Sequence, residues 1–486
     1  MPEFDPAELA EWSGGTWTPC PPERVVGVSN DTRTIEAGNL YFALQGERFD
    51  GHEFAGDAFA KGAAAAVVAR ERVDVVRGQR AGETPERCLL VVGDTREALM
   101  DTAAGYRLKI DPRMIGITGS VGKSTVKEMT ARMFAARGPT AWTKGNWNND
   151  VGLPLSILAM EESTTTGVFE VGTNHPGEIA RLCDALRPSS GVVTNVGPVH
   201  MEHFDSVEAI AREKGALLAC LPGDGFAVLD GGGEFLPLLR SMCDARVIKV
   251  GRERERDDYV CLRSDSAGGE FTVFEKVTGE EAALRNAVPG GHNITNALFA
   301  VAVARTCGIP WDDVREALAG YDPLPMRWQR SRVKWQKGAD RGASAGPVVG
   351  IVNDAYNANP MSMRASVRAF AEQNSPGRKW LVLADMLELG AGAATEHAAL
   401  GAFIARVFSE EPEMWGGLVA TGDLGRAIVD GALAAGAPDS RVAWCRDKDD
   451  AYGVLSDRVS SGDDILLKAS RGMRLEELLE GMEEEL

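Results

Sequence analysis

Residues 116–125, Gly-Ile-Thr-Gly-Ser-Val-Gly-Lys-Ser-Thr, constrain the fold more than any other stretch of the chain. A short apolar run, residues 114–118, leads into them, and Val126, Met129 and Met133 recur beyond them at helical spacing. A strand that turns through glycines into a helix is the context of a phosphate-binding loop, and such a strand needs parallel neighbours to bury it. Glycines let the backbone of Gly119, Ser120, Val121 and Gly122 turn its amides toward an anion, and the helix N-terminus adds a favourable dipole. Lys123 is then placed to reach β- and γ-phosphates, and Ser124, with Thr125 beside it, to offer a hydroxyl to Mg²⁺. Ile117 stands where the G-x-x-x-x-G-K-[ST] template has its first glycine, so the spacing here is G-x-x-G-x-x-G-K-S. The expected ligand is a nucleoside triphosphate.

The rest of the chain repeats that alternation. Apolar runs at 25–28, 40–44, 65–68 and 89–92 alternate with turn-rich segments and read as a small α/β unit, followed by a helical stretch over 95–109 that Asp111-Pro112 ends. Residues 168–171 and 191–196 read as further buried strands. Two prolines in residues 321–325 mark a boundary, and 348–352, 380–384, 418–420 and 465–468 are strand-like beyond it. The stretch 338–347, rich in Gly, Ala and Ser, reads as a surface loop. The expected fold is α/β in three domains: a small N-terminal unit over 1–94, a central parallel-sheet unit carrying the phosphate loop over 95–323, and a Rossmann-like unit over 324–486.

Charge and cysteine use narrow the function. With 52 Lys and Arg against 71 Asp and Glu, the net charge of −19 excludes a general nucleic-acid binder, which needs a basic footprint. The longest apolar run, residues 63–69, is far short of the roughly 18 residues of a spanning helix, so no membrane insertion is expected. Residues 1–5 are acidic and show no leader pattern, and the eight cysteines form no C-x-x-C pair. A reduced cytoplasm is the expected setting.

Ligands of parallel sheets collect at strand carboxyl ends. Glu170 lies inside the apolar run 168–172, where a buried carboxylate needs a partner such as Mg²⁺. His200 follows the 191–196 run and, by itself, suits a metal ligand or a hydrogen-bonded loop residue equally; His203 reads as structural. Lys214 falls on the same helical face as Ile210, Leu217 and Leu218. A lysine facing inward must snorkel, pair, lose its proton or be chemically modified.

Together, residues 118–124, 169–172 and His200 resemble the Mur ligase family. Residues 126–130, 145–154, 174–179, 291–297, 354–363 and 385–390, with 31–33 and 46–52 near the N-terminus, resemble the branch that acts on a UDP-N-acetylmuramoyl-tripeptide. The resemblance implies an ATP-dependent ligase that joins D-alanyl-D-alanine to the tripeptide carboxylate through an acyl phosphate, in peptidoglycan precursor synthesis. It implies ATP at the phosphate loop with Asn293 and Asn296 on the adenine side, and Arg327 and Asp354 closing from the third domain. Two Mg²⁺ ions are implied at Ser124, Glu170, His200 and Lys214, the last as a carbamate. Acceptor contacts are implied at Asn148, Asn149, Tyr356 and Asn357, and the UDP end near Thr32, Arg33, Asp50 and His52. A monomer is expected. Ala355, Ala384 and Ala469 depart from that family's usual Ser, Gly and Gly. Two rivals remain at this point, another ligase of the same class and a regulatory nucleotide switch that does not ligate.

Overall fold

Apolar runs separated by amphipathic helices bury both faces of a parallel sheet. The computed structural model describes residues 1–486 except 19–20, 47, 80–86, 266, 336–345, 481 and 485–486. Residues 338–345 of the expected surface loop therefore lie outside the described residues.

The central unit is a nine-stranded sheet. Its order is Glu280–Arg285, Glu270–Glu275, Tyr259–Asp265, Arg246–Gly251, Phe226–Asp230, Ser190–Val193, Arg113–Thr118, Thr166–Glu170 and Thr140–Trp142. From Tyr259–Asp265 to Thr140–Trp142 the pairing is parallel, and the other two strands extend the edge as an antiparallel meander. Strand order reverses at Arg113–Thr118. The chain leaves it for Thr140–Trp142 on one side and later returns to Ser190–Val193 on the other, which opens a crevice at the strand carboxyl ends. Ile117 lies opposite Glu170 in one ladder and Val192 in the other, so the phosphate loop rises between those two strand ends.

Side chains alternate across this sheet as the pleat requires. Ile115 and Ile117 join the core with Val126, Met129 and Ile294, from the helices Lys123–Ala135 and Gly291–Thr306. Met114 points the other way, into a core with Leu99, Leu186 and Leu217. Gly116 lies between them because a Cβ there would come within 2.7 Å of Leu217 Cδ1.

The N-terminal sheet has five strands, in the order Thr16–Trp17, Leu89–Val92, Ala65–Ala69, Leu40–Phe42 and Val28–Ser29. Here the run 25–28 is not one strand. Gly27, at φ +69°, turns the backbone so that Val25–Val26 pairs with Glu3–Phe4 while Val28–Ser29 pairs with Leu40–Phe42. The run 191–196 also stops short, since the strand ends at Val193 and residues 194–197 take another role described below.

The C-terminal sheet has seven strands, in the order Val442–Cys445, Trp415–Thr421, Lys379–Leu383, Asp464–Lys468, Val348–Asn353, Gln329–Lys334 and Glu483–Glu484. Ala355, Ala384 and Ala469, the three departures noted in the sequence, are all fully buried in one apolar cluster of this unit. Their methyls contribute to that core. Among the described residues no helix is long and apolar enough to cross a membrane, and the described cysteines are free thiols.

Candidate active site

The phosphate loop is held from behind. Ser120 N donates to Asn195 O at 3.0 Å, and Val121 N to Asn195 Oδ1 at 2.9 Å. Val121 O accepts from Thr194 Oγ1 and Asn195 Nδ2, while Ser120 Oγ donates to Gly197 O. Residues 194–197 thus form a brace for the loop, which only the folded sheet makes visible. Gly119 and Gly122 adopt φ +150° and +84°. Cβ atoms at these positions would lie 1.9 Å from Thr194 Oγ1 and 2.3 Å from Asn296 Oδ1. Gly122 caps the helix Lys123–Ala135, whose first-turn amides have no intrahelical partner. Gly122→Ala is expected to weaken binding of an ATP analogue at least tenfold, measurable by calorimetry. Left-handed strain and the Asn296 clash both oppose the loop conformation.

Lys123 Nζ donates to Gly119 O at 2.9 Å, folding back on its own loop. Burial draws its pKa below the ordinary lysine value, and Glu170 pulls the other way. Ser124 Oγ donates to Glu170 Oε2 at 2.5 Å, and Asn148 Nδ2 to Glu170 Oε1 at 2.7 Å. Glu170 is thus a buried carboxylate at the last residue of its strand, met by two neutral donors. Asn149 Oδ1 accepts from Gly152 N at 2.8 Å.

Lys214 is buried on the helix Val207–Ala219 and has no hydrogen-bond or ion-pair partner among the described residues. Burial drives its pKa well down, and the nearby charge of Lys123 adds to the decrease. Both effects favour a neutral amine. His200 sits in the left-handed region at φ +51°, with Nδ1 2.7 Å from Glu388 Oε2. That contact holds the Glu388 carboxyl below the usual carboxylate range. His203 packs its ring on His175, with centroids 4.1 Å apart.

The C-terminal unit supplies the opposite wall. Asp354 Oδ2 accepts from Lys468 Nζ at 2.7 Å and Ser366 Oγ at 2.6 Å, and its Oδ1 from Trp328 N at 3.2 Å. The Arg327 guanidinium lies over the Tyr356 ring at 4.1 Å. Asn293 and Asn296 meet side chain to side chain at 3.5 Å. Beside them His292 rests edge-on to Trp328, and burial lowers its pKa to about 4, which keeps the ring neutral at physiological pH.

These groups enclose one cavity of about 820 Å³. Its lining includes residues 120–125, Asn148, Asn149, Glu170, His200, Asn293, Asn296, Arg327, Asp354, Tyr356 and Asn357. Lys214 is close enough to sense Lys123 but is not in the lining. Thr32, Arg33, Asp50 and His52 lie away from the cavity, on the N-terminal unit. Arg33 pairs with Asp31 on the surface, and Thr32 O accepts from Lys61 Nζ. His52 is 1% exposed, with Nδ1 on Asp50 and Nε2 accepting from Ala69 N. Asp50 and His52 therefore frame the turn Gly51–Phe54.

Lys127 escaped the sequence reading. It is fully buried, donates to Thr143 O and Gly145 O, and pairs with Glu128 at 2.7 Å, tying the loop helix to the segment that carries Asn148. Its place on one helical face with Thr130, Ala131 and Phe134 is the signal that could have found it. The donor set suits Mg²⁺. Hydroxyl and carboxylate oxygens stand beside the phosphate loop without a cage of three His, Cys, Asp or Glu among the described residues. An ion that completes its shell with phosphate oxygens and water needs no more.

Three family profiles match the chain: the catalytic domain of the Mur ligase family over residues 24–107, the Mur ligase middle domain over 117–304, and the Mur ligase glutamate ligase domain over 342–471. The UDP-N-acetylmuramoyl-tripeptide–D-alanyl-D-alanine ligase of Bacillus subtilis is 36% identical over 479 residues, covering 98% of this chain and 97% of the relative. The enzyme of that name from Escherichia coli is 35% identical over 77% of each chain. Among solved structures, MurF from Acinetobacter baumannii superposes with a TM-score of 0.83 at 27% identity, covering 98% of both chains. MurF ligase from Thermotoga maritima in complex with ADP gives 0.74 at 25% identity, covering 94% of this chain and 96% of that one.

Proposed function

Because this chain belongs to the Mur ligase family, we infer that it uses ATP to join D-alanyl-D-alanine to the C-terminal carboxylate of a UDP-N-acetylmuramoyl-tripeptide, a step of peptidoglycan precursor synthesis. The observation that carries this reading is the shared cavity. The phosphate loop, the acidic strand end and the C-terminal wall line one volume, on a chain similar to such ligases along nearly its whole length.

The chemistry follows from the poor electrophilicity of a carboxylate. One of its oxygens attacks the γ-phosphorus, the bond to the β–γ bridging oxygen breaks, and ADP leaves with that electron pair. The amine of D-alanyl-D-alanine then adds to the acyl phosphate carbonyl, loses a proton, and expels inorganic phosphate. Two anions have to meet in the first step. Lys123 exchanges Gly119 O for the β- and γ-phosphates, and the first-turn amides of its helix face the same oxygens. Ser124 and Glu170 would hold one Mg²⁺, and His200 with a carbamate on Lys214 would hold a second. Mg²⁺ held there would supply charge neutralisation at the phosphate oxygens. Asn148, fixed by Glu170, and Asn149 face the acceptor. Arg327 and Asp354 close on the nucleotide beside Asn293 and Asn296, and Tyr356 and Asn357 complete that wall. The UDP moiety lies on the N-terminal unit near Thr32 and Arg33. Arg96, at the start of the central unit, donates to Asp150 at 2.7 Å and to Gln45 O of the N-terminal unit, which links that unit to the acceptor segment. We also propose a cytoplasmic monomer.

Phosphate release separates ligation from a nucleotide switch. It is expected only when ATP, a UDP-muramoyl-tripeptide and D-alanyl-D-alanine are all present. Omission of either acceptor should cut the rate at least a hundredfold. Sustained ATP hydrolysis without the dipeptide would overturn the reading in favour of a switch. Phosphate release driven by a single amino acid in place of the dipeptide would point to another ligase of the class.

A further inference from the structure

The contact between His200 and Glu388 joins two different units. His200 belongs to the loop after the strand Ser190–Val193 of the central sheet, and Glu388 to the loop after the strand Lys379–Leu383 of the C-terminal sheet. Both are non-glycine residues in left-handed backbone, at φ +51° and +64°, and both line the cavity. Burial does not account for the pair, because the Glu388 side chain is 56% exposed and is well hydrated without a partner. The Glu388 loop is braced at each step: Met386 N donates to His397 Nε2 and Leu387 N to Ser470 Oγ, each at 2.9 Å. The two units also touch alongside, where Met361 packs on Gly197 so closely that a Cβ there would lie 1.9 Å from the Met361 sulfur.

An imidazole that donates from Nδ1 to a carboxylate presents its Nε2 lone pair on the opposite edge of the ring, fixed in tautomer and direction. We propose that Glu388 is the positioning residue that aims His200 at its Mg²⁺, so that this ion's protein site is complete only when the C-terminal unit is docked. The inference rests on the two-ion reading above and adds to it the dependence on docking. The first ion, at Ser124 and Glu170, is built entirely within the central unit and forms without docking. The second ion needs an orienting group from across the cleft. Binding of that ion and docking therefore reinforce one another, and loss of Glu388 uncouples them.

Mn²⁺ serves as the probe. The full chain, with the β,γ-imido analogue of ATP and a UDP-muramoyl-tripeptide, is titrated while free Mn²⁺ is followed by electron paramagnetic resonance. The parent is expected to take up two ions per chain. In Glu388→Ala the first ion should bind as before and the second 10–100-fold more weakly. Glu388→Gln, whose amide oxygen still accepts from Nδ1, should recover to within a few-fold of the parent. Thermal melting of both variants reports that they fold. Two ions at parental affinity in folded Glu388→Ala would overturn the positioning role. A parent that binds a single ion would instead overturn the two-ion reading and the inference with it, so the two failures are distinguishable.

Discussion

Lys123→Ala is expected to lower phosphate release by at least a thousandfold, on the order of 4 kcal/mol of transition-state stabilisation. Among the described residues Lys123 Nζ bonds only to Gly119 O, a carbonyl of its own loop, so the ammonium contributes little to holding the units together. The variant should therefore melt within a degree or two of the parent. Its effect belongs to the chemistry. As the acceptor carboxylate approaches the γ-phosphate, negative charge concentrates on oxygens that the loop amides reach from one side only, and a mobile cation supplies the other. Lys123→Arg should recover little, because a planar guanidinium cannot replace a point charge on this short reach. Near-parental phosphate release from a folded Lys123→Ala protein would remove the residue from the mechanism.

The second large effect is expected at Lys214. Its amine is buried and, among the described residues, unpartnered, and burial with the nearby charge of Lys123 pushes its pKa down, which favours the neutral form that adds CO₂. The resulting carbamate turns a charge of the wrong sign for Mg²⁺ into hard anionic oxygens. Lys214→Ala should lose activity by on the order of a hundredfold, and acetate or formate should restore part of it by occupying the vacated oxygen positions. Lys214→Arg should remain inactive, since arginine keeps its charge and cannot be carbamylated. Robust turnover by Lys214→Arg would end the proposal. So would a high-resolution structure with both metals bound beside an unmodified Lys214.

Local chemistry was legible in the sequence where one element carries it. The strand–loop–helix at 114–133 could be read directly, because turn glycines and helical periodicity are properties of neighbouring residues. Glu170 at a strand end and Lys214 on an apolar helical face were readable for the same reason. Contacts between distant segments were not. Asn195 supports the phosphate loop from a segment that looks like continued strand, since Val196 prolongs the apolar run beyond the point where pairing stops. Lys127 shows the helical signal that exposed Lys214, but its partners are backbone carbonyls of a loop that no periodicity locates. Nothing near Glu388 announces His200. The strand pattern misled at 25–28, where one glycine sends two halves of a β-branched run to different sheets. Among the residues expected near UDP, Asp50 and His52 satisfy each other, a local fit that side-chain type alone does not disclose.

Four non-glycine residues at the junction of the central and C-terminal units, His200, Met326, Trp328 and Glu388, hold left-handed backbone. Each such residue costs about 1–2 kcal/mol relative to relaxed backbone. Backbone of this kind persists only where its surroundings hold it, and at this junction those surroundings come from both units, as His200 and Glu388 do for each other. Any part of that cost that is relieved when the contacts break would favour separation of the two units, so closing them is expected to work against the backbone of the junction itself.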